Sequence, residues 1–259
     1  MDLGIAGRGA IVCASSKGLG RACAMELARV GCRVVVNGRD ADRANATADE
    51  IRAATSAEVT VVVGDVGEAD VREALLDACP TPDILVNNNG GPPPAPFETL
   101  THDQILAGIE ANMLTPIALI QRVAPGMASR KFGRIINITS GSVRAPIAGL
   151  DVSSGARAGL TAFVAASARA YAKDNVTINS IQPGAFDTDR IRSIVSRQAA
   201  ARGLDEARIR AEREAAIPAG RFGRAAEFGQ LCAFLASAQA GYITGQNILI
   251  DGGAFPGAF

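Results

Sequence analysis

The 259-residue sequence has no tryptophan, two tyrosines and one histidine, and aromatic residues make up 4% of it. So few aromatics leave no stacking platform for bases, which argues against a single-strand nucleic-acid binder. A dominant charge is lacking too. The 26 lysines and arginines balance the 26 aspartates and glutamates, so nothing draws the chain to nucleic acid or to an anionic membrane surface. No apolar run is long enough to span a bilayer, and no basic N-terminal segment precedes a hydrophobic stretch. Neither a membrane span nor a signal peptide is expected. The five cysteines, Cys13, Cys23, Cys32, Cys79 and Cys232, are scattered and odd in number. They read as buried thiols of a reducing, cytoplasmic compartment rather than as disulfides or a zinc site, and no metal is expected.

The length suits one large α/β domain over residues 1–259. Its organising stretch is Ala10–Val30, AIVCASSKGLGRACAMELARV. It reads as a buried strand, a small-residue turn and a helix whose apolar positions recur at i, i+3 and i+4. A strand entering a helix through such a turn aims unpaired N–H groups and the positive end of the helix dipole at one spot. That spot suits a pyrophosphate. Ala14, Ser15, Ser16, Lys17, Gly18, Leu19 and Gly20 are the candidate contacts. Gly18 and Gly20 allow close backbone approach. Ala14 stands where such turns usually open with glycine, and its methyl is tolerable if φ stays negative.

Further strands are expected at Arg33–Asn37, Glu58–Val63, Asp83–Asn87, Gly133–Ile138, Val176–Ile181 and Asn247–Ile250. Helices are expected at Ala41–Thr55 (capped by Asp40), Val71–Cys79, His102–Ala111, Asn112–Ser129, Val152–Ala172 and Ala225–Ala236, with a charged helical excursion at Ser193–Ala216. On the long helix from Val152, Leu160, Phe163, Val164, Ser167, Ala168 and Tyr171 form an apolar face. Alternating strands and helices call for a parallel sheet covered on both faces, with ligands at the carboxyl ends of the strands.

Seven segments carry a resemblance over essentially the whole chain: CASSKGLG (13–20), GDV (64–66), NNNG (87–90), Asn112, the NITSGS run with Ser140, PGAFDT (183–188) and GYITGQNILIDGG (241–253). With these the chain resembles the short-chain dehydrogenase/reductase family, and within it a divergent branch near the bacterial 3-oxoacyl-acyl-carrier-protein reductases. The resemblance implies a doubly wound, Rossmann-type, seven-stranded parallel sheet and a bound nicotinamide dinucleotide. It also implies a substrate lid at about 185–222 and a homodimer or homotetramer, to which the small residues Gly155, Ala156, Gly159, Ala162, Ala166 and Ala170 could contribute a close helix contact. It implies that Asp65 and Val66 hold the adenine, that Asn87, Asn89 and Gly90 pass the ribose, and that Pro183, Gly184, Phe186 and Thr188 hold the nicotinamide side. The residue closing the second strand is Gly38, followed by Arg39. With Lys17 in the first turn, two cations and no carboxylate favour the 2′-phosphate of NADP(H) over NAD(H).

The family's working set is Asn, Ser, Tyr and Lys. Asn112 and Ser140 match it, but the Tyr position falls on Ser153 and the Lys position on Arg157. No tyrosine lies between Ser140 and Ala170. An aliphatic hydroxyl is a far poorer acid than a phenol, and a guanidinium cannot relay a proton, although Arg157 can still hold a ribose hydroxyl. Hydride transfer survives because the cofactor carries that chemistry. Proton delivery then needs water, the substrate, or a group such as Asp151 or Asp187. His102 reads as the start of a surface helix. Between Arg190 and Arg224 nine arginines face four acids, which reads as a solvated helical face with pairs such as Glu206–Arg210, or as an attractor for an anionic substrate. Two functions remain open: an NADP(H)-linked oxidoreductase acting on a small carbonyl or hydroxyl compound, with a 3-oxoacyl thioester among the candidates, and a nucleotide-binding sensor or subunit that has lost the chemistry.

Overall fold

The computed structural model describes residues 2–257. Its core is a seven-stranded, all-parallel sheet in the order β3-β2-β1-β4-β5-β6-β7. The strands are β1 (Gly9–Val12), β2 (Arg33–Gly38), β3 (Val59–Val63), β4 (Ile84–Asn87), β5 (Gly133–Ile138), β6 (Val176–Pro183) and β7 (Asn247–Ile250). Strands β1, β4 and β5 are buried at every position, as strands covered on both faces must be. The order runs outward from β1 in both directions. The chain therefore reverses between β1 and β4, and a crevice opens at the strands' carboxyl ends.

The helices are α1 (Gly18–Arg29), α2 (Ala41–Thr55), α3 (Ala69–Ala78), α4 (His102–Ile109), α5 (Thr115–Ser129), α6 (Asp151–Tyr171), α7 (Asp189–Arg202), α8 (Glu206–Ala215) and α9 (Ala225–Ala236). They pack the sheet into two apolar layers. One holds Leu27, Val36, Val86, Phe228 and Leu235, and the other holds Leu85, Leu119, Ile135, Leu160 and Val164. The doubly wound architecture implied by the resemblance is the one observed.

Three local expectations change. The helix expected from Asn112 begins at Thr115, and residues Glu110–Leu114 form a wide π-helical turn that joins α4 to α5. Pro116 has no N–H to offer the carbonyl of Asn112, and the widened turn stands where that bond is missing. The charged excursion is two helices. Gly203, at φ +61°, ends α7, and the Asp205 carboxylate accepts the N–H of Ala207 to start α8. On α6, Leu160, Val164 and Ala168 are buried, whereas Phe163 is 53% exposed. The inward stripe follows the i, i+4 row, which leaves Phe163 on the flank.

Candidate active site

The turn between β1 and α1 is held by asparagines. Asn37 Oδ1 accepts the Ala14 N–H at 2.9 Å, its carbonyl accepts the Ser15 N–H at 2.7 Å, and its Nδ2 donates to the carbonyls of Val62 and Gly64. Asn88 Nδ2 donates to the Ala14 carbonyl at 3.0 Å. Neither residue was among the candidates. The available signal was a polar residue closing the apolar run RVVVN. A Cβ on Gly20 would lie 2.5 Å from the Ala14 carbonyl oxygen, so the turn closes only over glycine there. Gly18 sits at φ +60°. Ala14 departs from expectation: its φ is +43°. Tied at both its N–H and its carbonyl, the chain must reverse at this residue. A methyl group in the left-handed region costs about 1 kcal/mol where glycine costs none. Ser15 is buried and donates to the Val12 carbonyl, and Leu19 packs on the core, so these two offer the crevice only backbone groups.

These residues fit a nucleotide that carries an extra phosphate. Lys17 and Arg39 are exposed, and no carboxylate closes β2. A Cβ on Gly38 would lie 2.5 Å from Ser16 Oγ, so the serine occupies the space an acid would need. Asp40 caps α2 by accepting the Arg43 N–H at 3.0 Å. Arg39 Nη1 rests 3.5 Å from Asp65 Oδ2, while Asp65 Oδ1 accepts the Gly67 N–H. Val66 is buried. Thr188 folds back over the turn, its γ-methyl 3.9 Å from a Cβ placed on Gly18. The Pro183 carbonyl lies 3.2 Å from a Cβ on Gly141, beside Ser140, and Gly184 packs on Asp251. The Phe186 ring packs edge-on against Phe228, with the centroids 5.5 Å apart, and the residue also lines a pocket with Ala185, Gly223 and Asp251.

The four tetrad positions gather at the carboxyl ends of β4 and β5. Asn112, in the π-helical turn, donates from Nδ2 to the Gly90 carbonyl at 3.1 Å. Asn89 donates to the Ala111 carbonyl at 3.3 Å, so both staple the 87–91 loop to that turn. Asn87 is fixed within the sheet by its bond to Asn137 Oδ1. The buried atoms Asn87 Oδ1, Asn112 Oδ1, Thr115 Oγ1 and Asn137 Nδ2 lack protein partners, and their residues line one cavity with Arg157. Its volume of about 20 Å³ and its polar lining suit a single water.

Ser140 ends a row of hydroxyls. Ser154 Oγ donates to Ser142 Oγ at 2.9 Å, and Ser142 Oγ donates to Ser140 Oγ at 2.9 Å, with the Ser142 N–H also on Ser140 Oγ at 3.1 Å. Ser140 accepts twice from Ser142, which leaves its own proton to donate into the crevice. Ser142 and Ser154 position Ser140; in the sequence they look like ordinary small residues.

Ser153 and Arg157 stand one helical turn apart on α6. Arg157 is 7% exposed. Its Nε donates to Ser153 Oγ at 3.2 Å, Nη1 to the carbonyls of Ile138 and Thr139, and Nη2 to the Asn89 carbonyl at 3.4 Å. Burial, helped by the nearby charge of Arg190, lowers its pKa to about 10. It remains a cation at neutral pH and takes no proton from Ser153.

No phenol enters this site. Tyr171 ends α6 against the core, and Tyr242 is fully exposed. His102 is the exposed first residue of α4. Asp151 accepts the Gly149 N–H at 3.1 Å. Asp187 is held by Arg210 at 3.0 Å and Arg192 at 3.1 Å, and these bonds and charges lower its pKa. An acid so stabilised as a carboxylate is a poor proton donor. Among the described residues no metal-binding group of His, Cys, Asp and Glu assembles.

Most lid arginines are engaged. Arg202 and Arg208 bind Glu212, Arg213 bonds Gln198, and Arg221 and Arg224 bind Glu227. The expected Glu206–Arg210 pair does not form, because Arg210 reaches Asp187 and Glu214 instead. Among the described residues Arg190 and Arg197 alone of the nine lack a side-chain partner.

Comparison with known proteins places this architecture. A family model described as enoyl-(acyl carrier protein) reductase matches residues 13–254. The NADPH-dependent reductase BacG of Bacillus subtilis is 31% identical over 252 residues, covering 95% of this chain and 97% of that protein. The chain belongs to the short-chain dehydrogenase/reductase family. The 3-oxoacyl-[acyl-carrier-protein] reductase FabG of Pseudomonas aeruginosa is also 31% identical, covering 98% of this chain and 99% of that one. L-sorbose reductase from Gluconobacter frateurii, solved with NADPH and L-sorbose, superposes with a TM-score of 0.94 at 26% identity, covering 99% of this chain and 100% of that one.

Proposed function

We propose that this family member is an NADP(H)-dependent oxidoreductase acting on a small carbonyl or hydroxyl compound, with Ser153 and Arg157 in the places of the family's tyrosine and lysine. The observation that carries this reading is the hydroxyl row ending at Ser140, set beside a buried Arg157 that is cationic at neutral pH. NADPH, when bound, supplies the hydride that forms the new C–H bond. Lys17, Ser16 and Arg39 would hold its 2′-phosphate end, the turn at 14–20 its pyrophosphate, and Arg157 its nicotinamide ribose. Ser140 donates a hydrogen bond to the substrate's carbonyl oxygen. The Arg157 charge stabilises the negative charge that develops there, and water delivers the proton that completes the hydroxyl. The relatives with NADPH in their names or structures support the cofactor. The relatives named as reductases of 3-oxoacyl carriers keep thioesters among the candidate substrates.

The exposed Leu106, Leu114 and Phe163 lie on α4, the π-helical turn and α6, close to the small-residue stripe. They suit a contact with a second copy, as a homodimer or homotetramer. Free, mostly buried thiols suit a cytoplasmic setting. Among the described residues no helix is long and apolar enough to cross a membrane.

The absence of a phenol favours one other reading, a cofactor-binding protein without turnover. Titration with NADPH, followed by a screen of carbonyl compounds for NADPH oxidation, separates the two. Ser153→Ala decides the role of Ser153: turnover about tenfold lower, ~1.4 kcal/mol in the barrier, marks a hydroxyl that positions the proton-donating water. Unchanged turnover marks a space filler. Ser153→Tyr should raise reduction of simple ketones, because Arg157 one turn away lowers the new phenol's pKa. A wild type already fast on simple ketones and slowed by Ser153→Tyr would refute this placement of the acid.

A further inference from the structure

Three donors approach the backbone of Gly91, beyond the carboxyl end of β4. A Cβ built on Gly91 would lie 3.4 Å from Ser153 Oγ, 3.6 Å from Arg190 Nη1 and 3.8 Å from Arg157 Nη2. Two guanidinium groups therefore lie beside the same glycine, one buried in α6 and one exposed at the start of α7. Neither has a carboxylate partner among the described residues. The acids flanking Arg190 are engaged elsewhere, Asp187 by Arg192 and Arg210 and Asp189 by Arg192. Bringing two cations together over a glycine, with no acid between them, is unfavourable in an empty site and favourable around an anion. Most of the lid's other arginines are engaged within the lid or with Glu227, Arg197 excepted, whereas Arg190 stands beside a second guanidinium.

The position also has chemical meaning. Arg157 Nη1 donates to the carbonyl of Thr139, the residue before Ser140. An oxyanion held between the two guanidinium groups, beside Gly91, would therefore lie near Ser140 by way of Arg157. The planar forks of two arginines match a carboxylate, which has two oxygens and several lone pairs to share.

We infer that this convergence is a carboxylate seat, and that the substrates are small 2-oxo or 3-oxo acids, or the matching hydroxy acids, held between Arg157 and Arg190 with the adjacent carbonyl turned toward Ser140. This rests on the oxidoreductase reading above and narrows it, because a thioester or a neutral ketone has no charge to offer the seat. The seat orients the acid, and the proton still comes from water. Where other members set an acid above the carbonyl, this chain sets two cations beside it.

The test uses the full chain loaded with NADP⁺. Acids of the 2-oxo and 3-oxo series with about three to six carbons, and their methyl esters, are titrated calorimetrically. At least one acid should bind about tenfold or more tightly than its ester. Arg190→Gln should abolish that preference and leave both the ester affinity and the NADPH affinity unchanged. Arg190 is exposed and unpaired, so the variant should fold, and Arg190→Lys should keep most of the preference as a point charge. In turnover, Arg190→Gln should raise KM for the acid more than it lowers kcat. The inference is overturned if no acid is preferred over its ester, or if the preference survives Arg190→Gln. Failure of the wild type to bind NADPH would instead strike the cofactor reading, and the acid and ester titrations on the unloaded chain would still decide the seat.

Discussion

Two buried arginines mark opposite ends of the same strand. Arg134 opens β5 at the amino edge of the sheet and is 1% exposed; Arg157 lies at its carboxyl edge and is 7% exposed. Burial lowers the pKa of both to about 10. Their surroundings differ. Arg134 donates to the carbonyls of Gly133, Asn175 and Ser237 and to Asn175 Oδ1, and it stacks on Phe132, 4.4 Å from the ring centre. It ties β5, the turn before β6 and the end of α9 into one knot. Arg157 makes as many bonds, but it borders a cavity, Gly91 and a second guanidinium. Burial and a shifted pKa therefore do not separate a purely structural arginine from one proposed to meet a ligand. What separates them is whether unmatched charge and open space lie on the far side.

The largest expected effect breaks that comparison at the amino edge. Arg134→Ala leaves several buried carbonyls without donors and should cost about 3–5 kcal/mol. The thermal midpoint should fall by about 10 °C with NADPH affinity per folded molecule unchanged, which calorimetry and a cofactor titration would read. Arg157→Ala should do the reverse. Water from the cavity can satisfy the carbonyls it abandons, so the midpoint should fall less than half as far, while NADPH binds about tenfold more weakly. Equal melting losses and an unaltered dissociation constant would erase the distinction.

Arg39→Asp sharpens the comparison at the carboxyl edge. Arg39 makes only a loose contact with Asp65, so its loss should cost little stability. NADPH preference should reverse toward NADH, since each charge-assisted phosphate contact contributes about 1.5–3 kcal/mol. Paired titrations would show it, and equal wild-type affinities for the two cofactors would sink the assignment. Ala14→Gly should raise stability by about 1 kcal/mol at most, less the extra freedom glycine gives the unfolded chain.

The smallest effect is in the lid. Its arginines hold Glu227 down to about 2, and hydrogen bonding and charge lower Asp187 and Glu212 as well. A carboxylate whose pKa is lower when folded lends stability above its unfolded value, and that stability fades as pH falls toward the folded value. The lid should therefore loosen between about pH 4.5 and pH 2, read as faster proteolysis within residues 189–224. The effect is modest because these pairs are exposed and screened.

The fold was largely legible in the sequence. Fully buried strands such as ILVN and GRIINI read as continuous apolar runs, and α2 carries its own boundary in Asp40. The crevice was legible where a motif is local, as in the turn at 14–20, and where a substitution is conspicuous, as at Ser153 and Arg157. Contacts made through the third dimension could not be read. Asn37 and Asn88 brace a turn from two other strands, Ser154 acts through Ser142, and Arg190 meets Arg157 across a loop. The π-helical turn escaped because one proline carries its signal, and the strain at Ala14 because a residue type does not reveal its φ.

The packing of Gly38 on Ser16 constrains how this lineage could change cofactor. An aspartate at position 38 would select the unphosphorylated dinucleotide, but its Cβ would lie 2.5 Å from the Ser16 hydroxyl. Each step alone is expected to be a loss: the acid collides with the serine, and Ser16→Gly would give up the proposed phosphate contact with nothing gained. Only the pair opens the alternative, so cofactor choice here is protected by a valley between two neighbouring genotypes, and laboratory evolution by single changes should move Arg39 first and leave Gly38 in place.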